Sequence, residues 1–241
     1  MDEGASPVLP DAYGLTDRGL VRPVNQDAFL IDEDLGLYLV ADGMGGAKAG
    51  EKASALALDT VHRHYRELGP SAELDKAFHA AHAAVRAHAE ADLYCSGMGT
   101  TLVGVHIAAG KVHLASAGDS RAYLWAEGKL EQLTKDHSWI EEVGRRIGLC
   151  EDVLKKHPFR HVITMAIGVD SNLEVRHRRF EPPAGSRFLL CSDGLHGYVE
   201  EETIAEAMGS ERSLESRAHQ LVEASKKAGA PDNVTVVLID L

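Results

Sequence analysis

The apolar positions of this chain change their period several times, and each change marks an element. Leu37-Tyr38-Leu39-Val40-Ala41 is an unbroken apolar run that ends, with no polar spacer, on Asp42 and then on Gly43-Met44-Gly45-Gly46. A short continuous run bounded by turn residues predicts a buried strand. Ala28-Phe29-Leu30-Ile31, closed by Asp32-Glu33-Asp34-Leu35-Gly36, predicts a strand before it, and 12–19 an earlier one. With a polar turn at Arg22-Pro23-Val24-Asn25-Gln26-Asp27, the stretch 12–42 reads as a β-meander. Leu58, Val61, Tyr65 and Leu68 then recur at helical spacing up to a stop at Gly69-Pro70. Leu74, Phe78, Ala81 and Val85 repeat that spacing in a second helix, which Ser71 caps and which ends near Leu93.

Strand patterns return over 100–108, 111–117 and 121–126, separated by Ala109-Gly110 and Gly118-Asp119-Ser120, with a short partner at 130–133. Lys111-Val112-His113-Leu114 alternates, which predicts one face in water. From 136 to 160 charged and apolar residues mix without a clean period, Gly144 and Gly148 interrupt, and His157-Pro158 closes the segment. That stretch predicts a short helix followed by an irregular flap. Strands at 162–164, 173–180 and 187–191, helices at about 200–208 and 212–228, and a last strand at 234–239 complete the chain. Strands come in runs rather than alternating with helices, which disfavours a Rossmann or barrel plan and favours antiparallel sheets covered by helix pairs, an α+β class. No repeat, low-complexity tract or linker intervenes, so 1–241 is expected to form one domain, with the flap at about 136–160.

Composition narrows the function. A hydrophobic content of 44% with 26% charged residues is ordinary for a globular protein and excludes disorder as the main reading. The formal net charge of −12 argues against nucleic acid or an anionic membrane as the main partner. Cys95, Cys150 and Cys191 are too few and too scattered for a disulfide framework or a zinc site, which points to a reducing compartment. The acidic start Met1-Asp2-Glu3-Gly4 has no apolar signal-peptide core, and no run reaches the roughly 18 apolar residues of a membrane span. A cytoplasmic protein is expected.

The candidate chemistry lies in carboxylates at strand ends. Asp42 follows the apolar run, and the same grammar recurs in Leu189-Leu190-Cys191-Ser192-Asp193-Gly194 and in Leu114-Ala115-Ser116-Ala117-Gly118-Asp119-Ser120. Asp27 and Asp232, the latter in Pro231-Asp232-Asn233-Val234, also sit at strand-to-loop junctions. Any one of them reads most simply as a turn former beside a glycine; the recurrence calls for a common explanation. A carboxylate is costly to bury unpaired, and an oxygen-only set without Cys or convergent His selects Mg²⁺ or Mn²⁺ over Zn²⁺. Two such ions held by shared carboxylates can acidify a bridging water and stabilise an in-line displacement at phosphorus. Arg22 adds a guanidinium able to hold a phosphoryl group bidentately.

Weaker signals read as structure. The glycines after Asp42 permit positive φ and close approach of backbone to a ligand, but lack the order and the Lys of a phosphate-binding loop. His62, His64, His79, His82 and His88 read as solvated helix faces, and Cys191 as core. Ser120 and Ser192 form no triad with any evident His and Asp.

Seven ordered motifs then spell a family: Arg22-Pro-Val-Asn25-Gln26-Asp27, Val40-Ala41-Asp42-Gly43-Met44-Gly45-Gly46, Gly99-Thr100-Thr101, Ala117-Gly118-Asp119-Ser120-Arg121, Leu133-Thr134-Lys135-Asp136-His137-Ser138, Cys191-Ser192-Asp193-Gly194 and Asp232-Asn233-Val234-Thr235. From about residue 12 to 240 the chain resembles the metal-dependent, type 2C Ser/Thr protein phosphatases in their compact bacterial form. The resemblance implies a four-layer αββα sandwich, two central antiparallel sheets flanked by helix pairs, with a dinuclear Mg²⁺/Mn²⁺ site at one edge. On the matching positions Asp42 would bridge the two ions, the Gly43 carbonyl would bind one, and Asp193 and Asp232 would complete the pair. Asp119 would hold a third, weaker ion, Asp27 would act through coordinated water, and Arg22 would grip the substrate phosphate.

The implied reaction is hydrolysis of phosphoserine and phosphothreonine in proteins by hydroxide bound at the dinuclear site, with no phosphoenzyme. A monomer is expected, acting on a Ser/Thr kinase and its substrates. The alternative is a catalytically weak adaptor that binds phosphoproteins. Two departures matter. Gln26 stands where many eukaryotic members carry Glu, and Met44 where they carry a His proposed as general acid. A thioether cannot donate a proton, so the leaving alkoxide must be protonated by a metal-bound water or, as second choice, by His137.

Overall fold

In the computed structural model, which describes residues 10–45, 49–150, 153–154, 157–159 and 162–241, the apolar run ending on Asp42 forms strand β3 (Leu37–Met44). The first nine residues, Gly46 of the glycine run and parts of the expected flap lie outside the described residues. Both faces of β3 are covered. Leu37, Leu39 and Ala41 enter a core with the helices α1 (Ala49–Leu68) and α2 (Leu74–Ala91), while Tyr38 and Val40 enter a second core between two sheets. Strand side chains alternate with a period of two, so Asp42 shares the face of Tyr38 and Val40 and stands at the open end of the inter-sheet core.

One sheet has the order β1 (Asp11–Asp17), β11 (Val234–Asp240), β10 (Arg187–Cys191), β7 (Arg121–Ala126) and β8 (Lys129–Gln132). The other runs β2 (Asp27–Asp32), β3, β5 (Leu102–Ala108), β6 (Lys111–Ala117) and β9 (Arg176–Phe180), with the two-residue β4 (Gly99–Thr100) also paired to β3. Every pairing is antiparallel. Helices α1 and α2 cover the second sheet; the short α3 (Asp193–His196), with α4 (Glu201–Gly209) and α5 (Leu214–Lys227), covers the first over Leu189, Cys191, Val236 and Leu238. This is the expected four-layer α+β sandwich of two antiparallel sheets flanked by helix pairs.

Several local expectations are corrected. The meander over 12–42 does not form: β1 pairs with β11 along its whole length, while β2 and β3 belong to the other sheet. Periodicity marks a strand but carries no information about a partner more than 200 residues away. The wet face of β6 is absent, because Val112 and Leu114 face the inter-sheet core while His113, Ala115 and Ala117 lie under the helices. Residues 162–164 contribute a single bridge, Ser138 to Ile163, rather than a strand, and the pattern at 173–180 is a strand only from Arg176. Leu68 is 48% exposed at the end of α1. Ser71 sits in a 3₁₀ turn over Gly69–Ser71, and the residue at the N-cap of α2 is Glu73, with no side-chain cap. His82 is buried, its Nδ1 accepting from Gly168 N–H at 3.0 Å. The expected short helix of the flap is a π-helical turn over Ile140–Gly144.

Candidate metal centre

Strand register brings the first two carboxylates together. Asp27 and Asp42 are direct cross-strand partners on β2 and β3, so both point into the mouth of the inter-sheet space. The opposite sheet reaches across to Asp27. Its Oδ2 accepts from Ser192 Oγ and from Thr235 Oγ1, each at 2.7 Å. Thr235 Oγ1 lies 2.7 Å from Thr16 Oγ1, which in turn accepts from Asn25 Nδ2 at 2.8 Å. Two hydroxyl donors from the opposite sheet thus converge on one carboxylate oxygen, with Thr16 and Asn25 behind Thr235, and they favour its charged form.

Backbone contacts hold the end of β3 equally tightly. Asp42 N–H donates to Thr101 Oγ1 at 3.0 Å, and its carbonyl accepts from Thr101 N–H at 2.8 Å and Thr100 Oγ1 at 2.9 Å. Gly43 donates to the Gln26 carbonyl at 3.2 Å, which also accepts from Ser54 Oγ at 2.7 Å. A Cβ on Gly43 would stand 2.1 Å from the Gly50 carbonyl oxygen, so only glycine lets the start of α1 approach this strand end.

The remaining acids come from the first sheet. Asp193 opens α3, directly after β10, and Asp232 precedes β11. A Cβ on Gly194 would meet the Asn233 carbonyl oxygen at 1.8 Å, which packs the two segments side by side. Asn233 ties them to the loop that carries Arg22: its Nδ2 donates to the carbonyls of Arg18 and Val24, each at 2.9 Å, and its Oδ1 accepts from Gln26 N–H at 2.9 Å. Arg22 reaches back to donate from NH2 to Asp232 Oδ2 at 2.6 Å, with its side chain 52% exposed at the mouth.

Electrostatically the group is under repulsion. Burial first, then the charges of Asp27, Asp193, Asp119 and Asp232, drive the Asp42 carboxyl well above the usual carboxylate range. Burial, with a smaller contribution from Asp232, raises Asp27 to about 6 despite its hydroxyl partners. Burial and the charges of Asp232 and Asp27 raise Asp193 to about 7. Asp119 is pushed well up by burial and by Asp193. Asp27 Oδ1 and Asp193 Oδ1 are buried without a hydrogen-bond partner. A set of converging carboxylates with orphaned oxygens and no thiol or imidazole among them fits hard divalent cations.

Asp42, Gly43, Asp193, Asp232 and Arg22 all line one cleft of about 570 Å³, together with Met44, Ile163 and Tyr198. Asp27 lies behind Asp42, off the cleft wall. Asp119 also lies off it, after β6, where its carbonyl accepts from His196 Nε2 at 3.0 Å; burial holds that imidazole neutral. The expectation that His137 could donate a proton is corrected. It is fully buried, its Nδ1 accepts from Gly118 N–H at 3.2 Å, burial lowers its pKa, and it does not line the cleft. Cys191 is core as expected, its thiol pushed up to about 12 by burial. Ser192 serves Asp27 rather than a triad, and Ser120 shares a 2.7 Å bond with Thr101.

The supporting residues Ser192, Asn233 and Thr235 fall inside motifs read for their aspartates alone. Thr235 and Val237 sit two apart on β11, and Val237 faces the inter-sheet core. The period of two therefore aims Thr235 at the same gap, a signal present in the sequence. Tyr198 and Ile163 had no such signal, because both stand in irregular segments.

Residues 21–237 match the family model described as Protein phosphatase 2C. The chain is 40% identical over 232 residues to the serine/threonine protein phosphatase PstP of Mycobacterium tuberculosis, covering 94% of this chain and 44% of that protein. It therefore spans less than half of that relative's length. The serine/threonine phosphatase stp of Listeria monocytogenes is 33% identical over 235 residues, covering 93% of each chain. Among solved structures, that of M. tuberculosis PstP superposes with a TM-score of 0.89 at 37% identity, covering 96% of this chain and 98% of the other. The PstP catalytic domain in complex with two manganese ions gives a TM-score of 0.86 at 35% identity, over 96% and 97% of the chains. Fold, ordered motifs and these matches agree, and the chain belongs to the protein phosphatase 2C family.

Proposed function

We propose that this protein is a metal-dependent Ser/Thr phosphoprotein phosphatase. The observation that carries the reading is the convergence of Asp42, Asp193 and Asp232 on one cleft beneath an arginine at its mouth, with Asp27 and Asp119 close behind, where burial and neighbouring carboxylates raise the carboxyl pKa values of Asp27, Asp42, Asp119 and Asp193. Asp42, the Gly43 carbonyl, Asp193 and Asp232 would hold a pair of Mn²⁺ or Mg²⁺ ions, with Asp42 shared between them and Asp119 serving a third. When bound, the ions supply an acidified water and offset the charge that builds on the phosphoryl oxygens. The manganese complex of the PstP catalytic domain supports this choice of ion.

The chain's own residues bind and orient. Arg22 keeps N–H groups beyond its bond to Asp232, and these face the cleft where a phosphoryl group would dock. Asp232 holds the guanidinium in place, and Asp193 and Asp42 add to the field that keeps it charged. Asp27, fixed by Ser192 and Thr235, sets the position of Asp42 from behind. Met44 lines the cleft and offers no proton. The net charge of −12 supports protein substrates, a Ser/Thr kinase and its targets among them, over nucleic acid. No helix among the described residues is long and apolar enough to cross a membrane. Cys95, Cys150 and Cys191 all carry free thiols, which supports a reducing compartment, and we read the protein as a cytoplasmic monomer.

The test is release of phosphate from a phosphothreonine peptide with and without Mn²⁺. Wild type is expected to require the metal, and Asp193→Ala and Asp232→Ala to lose activity. Metal-dependent turnover that survives either substitution, or phosphopeptide binding without turnover in the wild type, would overturn the reading.

A further inference from the structure

A second group of ligating side chains lies on the helix-covered face of the second sheet, away from the cleft. His113 on β6 pairs with Arg179 and Ala115 with His177 on β9, so His113 and His177 are diagonal neighbours on one face. Asp75, in the first turn of α2, stands over them. One ligand atom from each of Asp75, His113 and His177 lies within 4.8 Å of the others. Extended chain separates His113 from Asp119 by roughly 20 Å.

Two observations mark the cluster as incomplete. His113 is only 7% exposed, yet its Nε2 has no hydrogen-bond partner. The buried Asp75 Oδ1 faces it across 3.7 Å, also without a partner. That gap is too long for a hydrogen bond. It is close to the ligand-to-ligand span of a tetrahedral ion bound at 2.0–2.2 Å to nitrogen and oxygen. His177 is exposed, so its ring is free to turn inward, and the rings of His113 and His177 already meet edge to face at 5.9 Å. A cavity of about 820 Å³, lined in part by His113, Glu73 and Arg179, opens beside them.

We propose that Asp75, His113 and His177 form a binding site for one divalent ion of the zinc class, distinct from the carboxylate centre, with its fourth position open to solvent. Imidazole nitrogen with one carboxylate suits Zn²⁺, Co²⁺ or Ni²⁺ rather than the hard ions that five aspartates favour. Burial, with the nearby Arg179, holds the His113 ring neutral down to about pH 4, so no proton needs to leave it. Binding through Nε2 places the ring's single hydrogen on Nδ1 and gives up the 3.5 Å approach of the Leu74 N–H. That contact is at the limit of hydrogen bonding, so the site gives up only a weak bond from the buried Leu74 amide. The ion would tie β9, an edge strand, to the start of α2.

A competing cluster, His88, Asp92 and Cys95, is already occupied by its own cation. Lys52 Nζ stands 3.5 Å from Cys95 Sγ and 3.9 Å from Asp92 Oδ2, and the thiol donates to Asp92 at 3.4 Å.

The test titrates Co²⁺ into the full chain in saturating Mg²⁺ and reads visible d–d absorption, which is intense for four-coordinate cobalt and weak for six-coordinate cobalt on oxygen ligands. Wild type is expected to develop an intense band that Zn²⁺ displaces. His177→Ala and Asp75→Asn should each weaken binding at least roughly tenfold with unchanged circular dichroism, and His88→Ala should leave it intact. Absence of an intense band in the wild type, a band indifferent to His177→Ala, or one lost in His88→Ala or accompanied by sulfur-to-cobalt charge transfer would overturn the proposal.

Discussion

Replacing Asp193 by Asn should make the metal-free protein more stable, and increasingly so as the pH rises. The Asp193 carboxyl is raised from 3.8 to about 7 by burial and by Asp232 and Asp27. An acid whose folded pKa lies above its unfolded value contributes stability that is whole below the unfolded pKa and lost as pH rises through the folded one. At pH 5 the unfolded carboxyl has already ionised while the folded one has not; at pH 8 both have. At 1.36 kcal/mol per pKa unit the penalty therefore grows by roughly 2–3 kcal/mol between those pH values, an upper figure because Asp193 opens onto the cleft and is partly screened. Asn is close in shape and carries no charge, so the variant escapes this loss.

The assay is urea unfolding of chelator-treated wild type and Asp193→Asn at pH 5 and pH 8, read as the difference between the two proteins. The difference matters because His82, His113, His137 and His196, whose pKa values burial lowers, give an opposite slope. They gain stability as pH rises toward 6.5, equally in both proteins. A stability difference that stays flat from pH 5 to 8, or that moves in favour of wild type, would refute the claim that the carboxylates repel one another in the folded chain. The same variant should lose Mn²⁺-dependent hydrolysis, placing stability and activity in opposition at one side chain.

Three further substitutions test other parts of the centre. Arg22→Lys should raise the KM for a phosphothreonine peptide about tenfold, since an ammonium cannot reproduce the bidentate fork, while urea unfolding shifts by less than about 1 kcal/mol at this exposed ion pair. Asp119→Ala should keep the fold and move the Mn²⁺ concentration needed for half-maximal activity upward, as followed in a metal titration; an unchanged titration curve would separate Asp119 from the site. Gly43→Ala would put a Cβ at 2.1 Å from the Gly50 oxygen and 2.6 Å from the Gln26 oxygen. It should cost at least about 2 kcal/mol in urea unfolding and lower activity together with stability, because the start of α1 must retreat.

What the sequence made legible follows from which forces are local. β3, α1 and α2 were readable because their apolar spacing reflects the core they enter: Leu39, Ala57 and Phe78 fall in one cluster. Asp42, Asp119 and Asp193 were readable because each breaks an apolar pattern at a strand end, and Asp27 and Asp232 because each sits at a strand-to-loop junction. The partner of β1 was not, since Asp11 pairs with Asp240 through a contact set by the whole sandwich. The alternation in Lys111-Val112-His113-Leu114 misled because a sandwich with outer helices buries both faces of a central strand, so His113 is a covered polar residue rather than a solvated one. Asp27 was placed at the site by its motif, but the residues that hold it, Ser192 and Thr235, come from the opposite sheet.

That last arrangement explains where the hydrogen bonds of the centre concentrate. Asp27 and Asp42 ride on β2 and β3, while Asp193 and Asp232 flank β10 and β11, so their mutual repulsion pushes the two sheets away from each other at their open end. Every polar contact that spans this seam opposes that separation. Ser192 and Thr235 fasten Asp27 to the first sheet, Asn233 fastens the Gln26 amide and the carbonyls of Arg18 and Val24, and Arg22 neutralises Asp232 from above. Below the seam, Tyr38, Val40, Val237 and Ile239 pack in the inter-sheet core and contribute about 1.5–3 kcal/mol each on burial. The apolar run that led to Asp42 is thus what allows Asp42 to be there: the core beneath it holds the two sheets at a spacing that their facing carboxylates, without a cation between them, would otherwise widen.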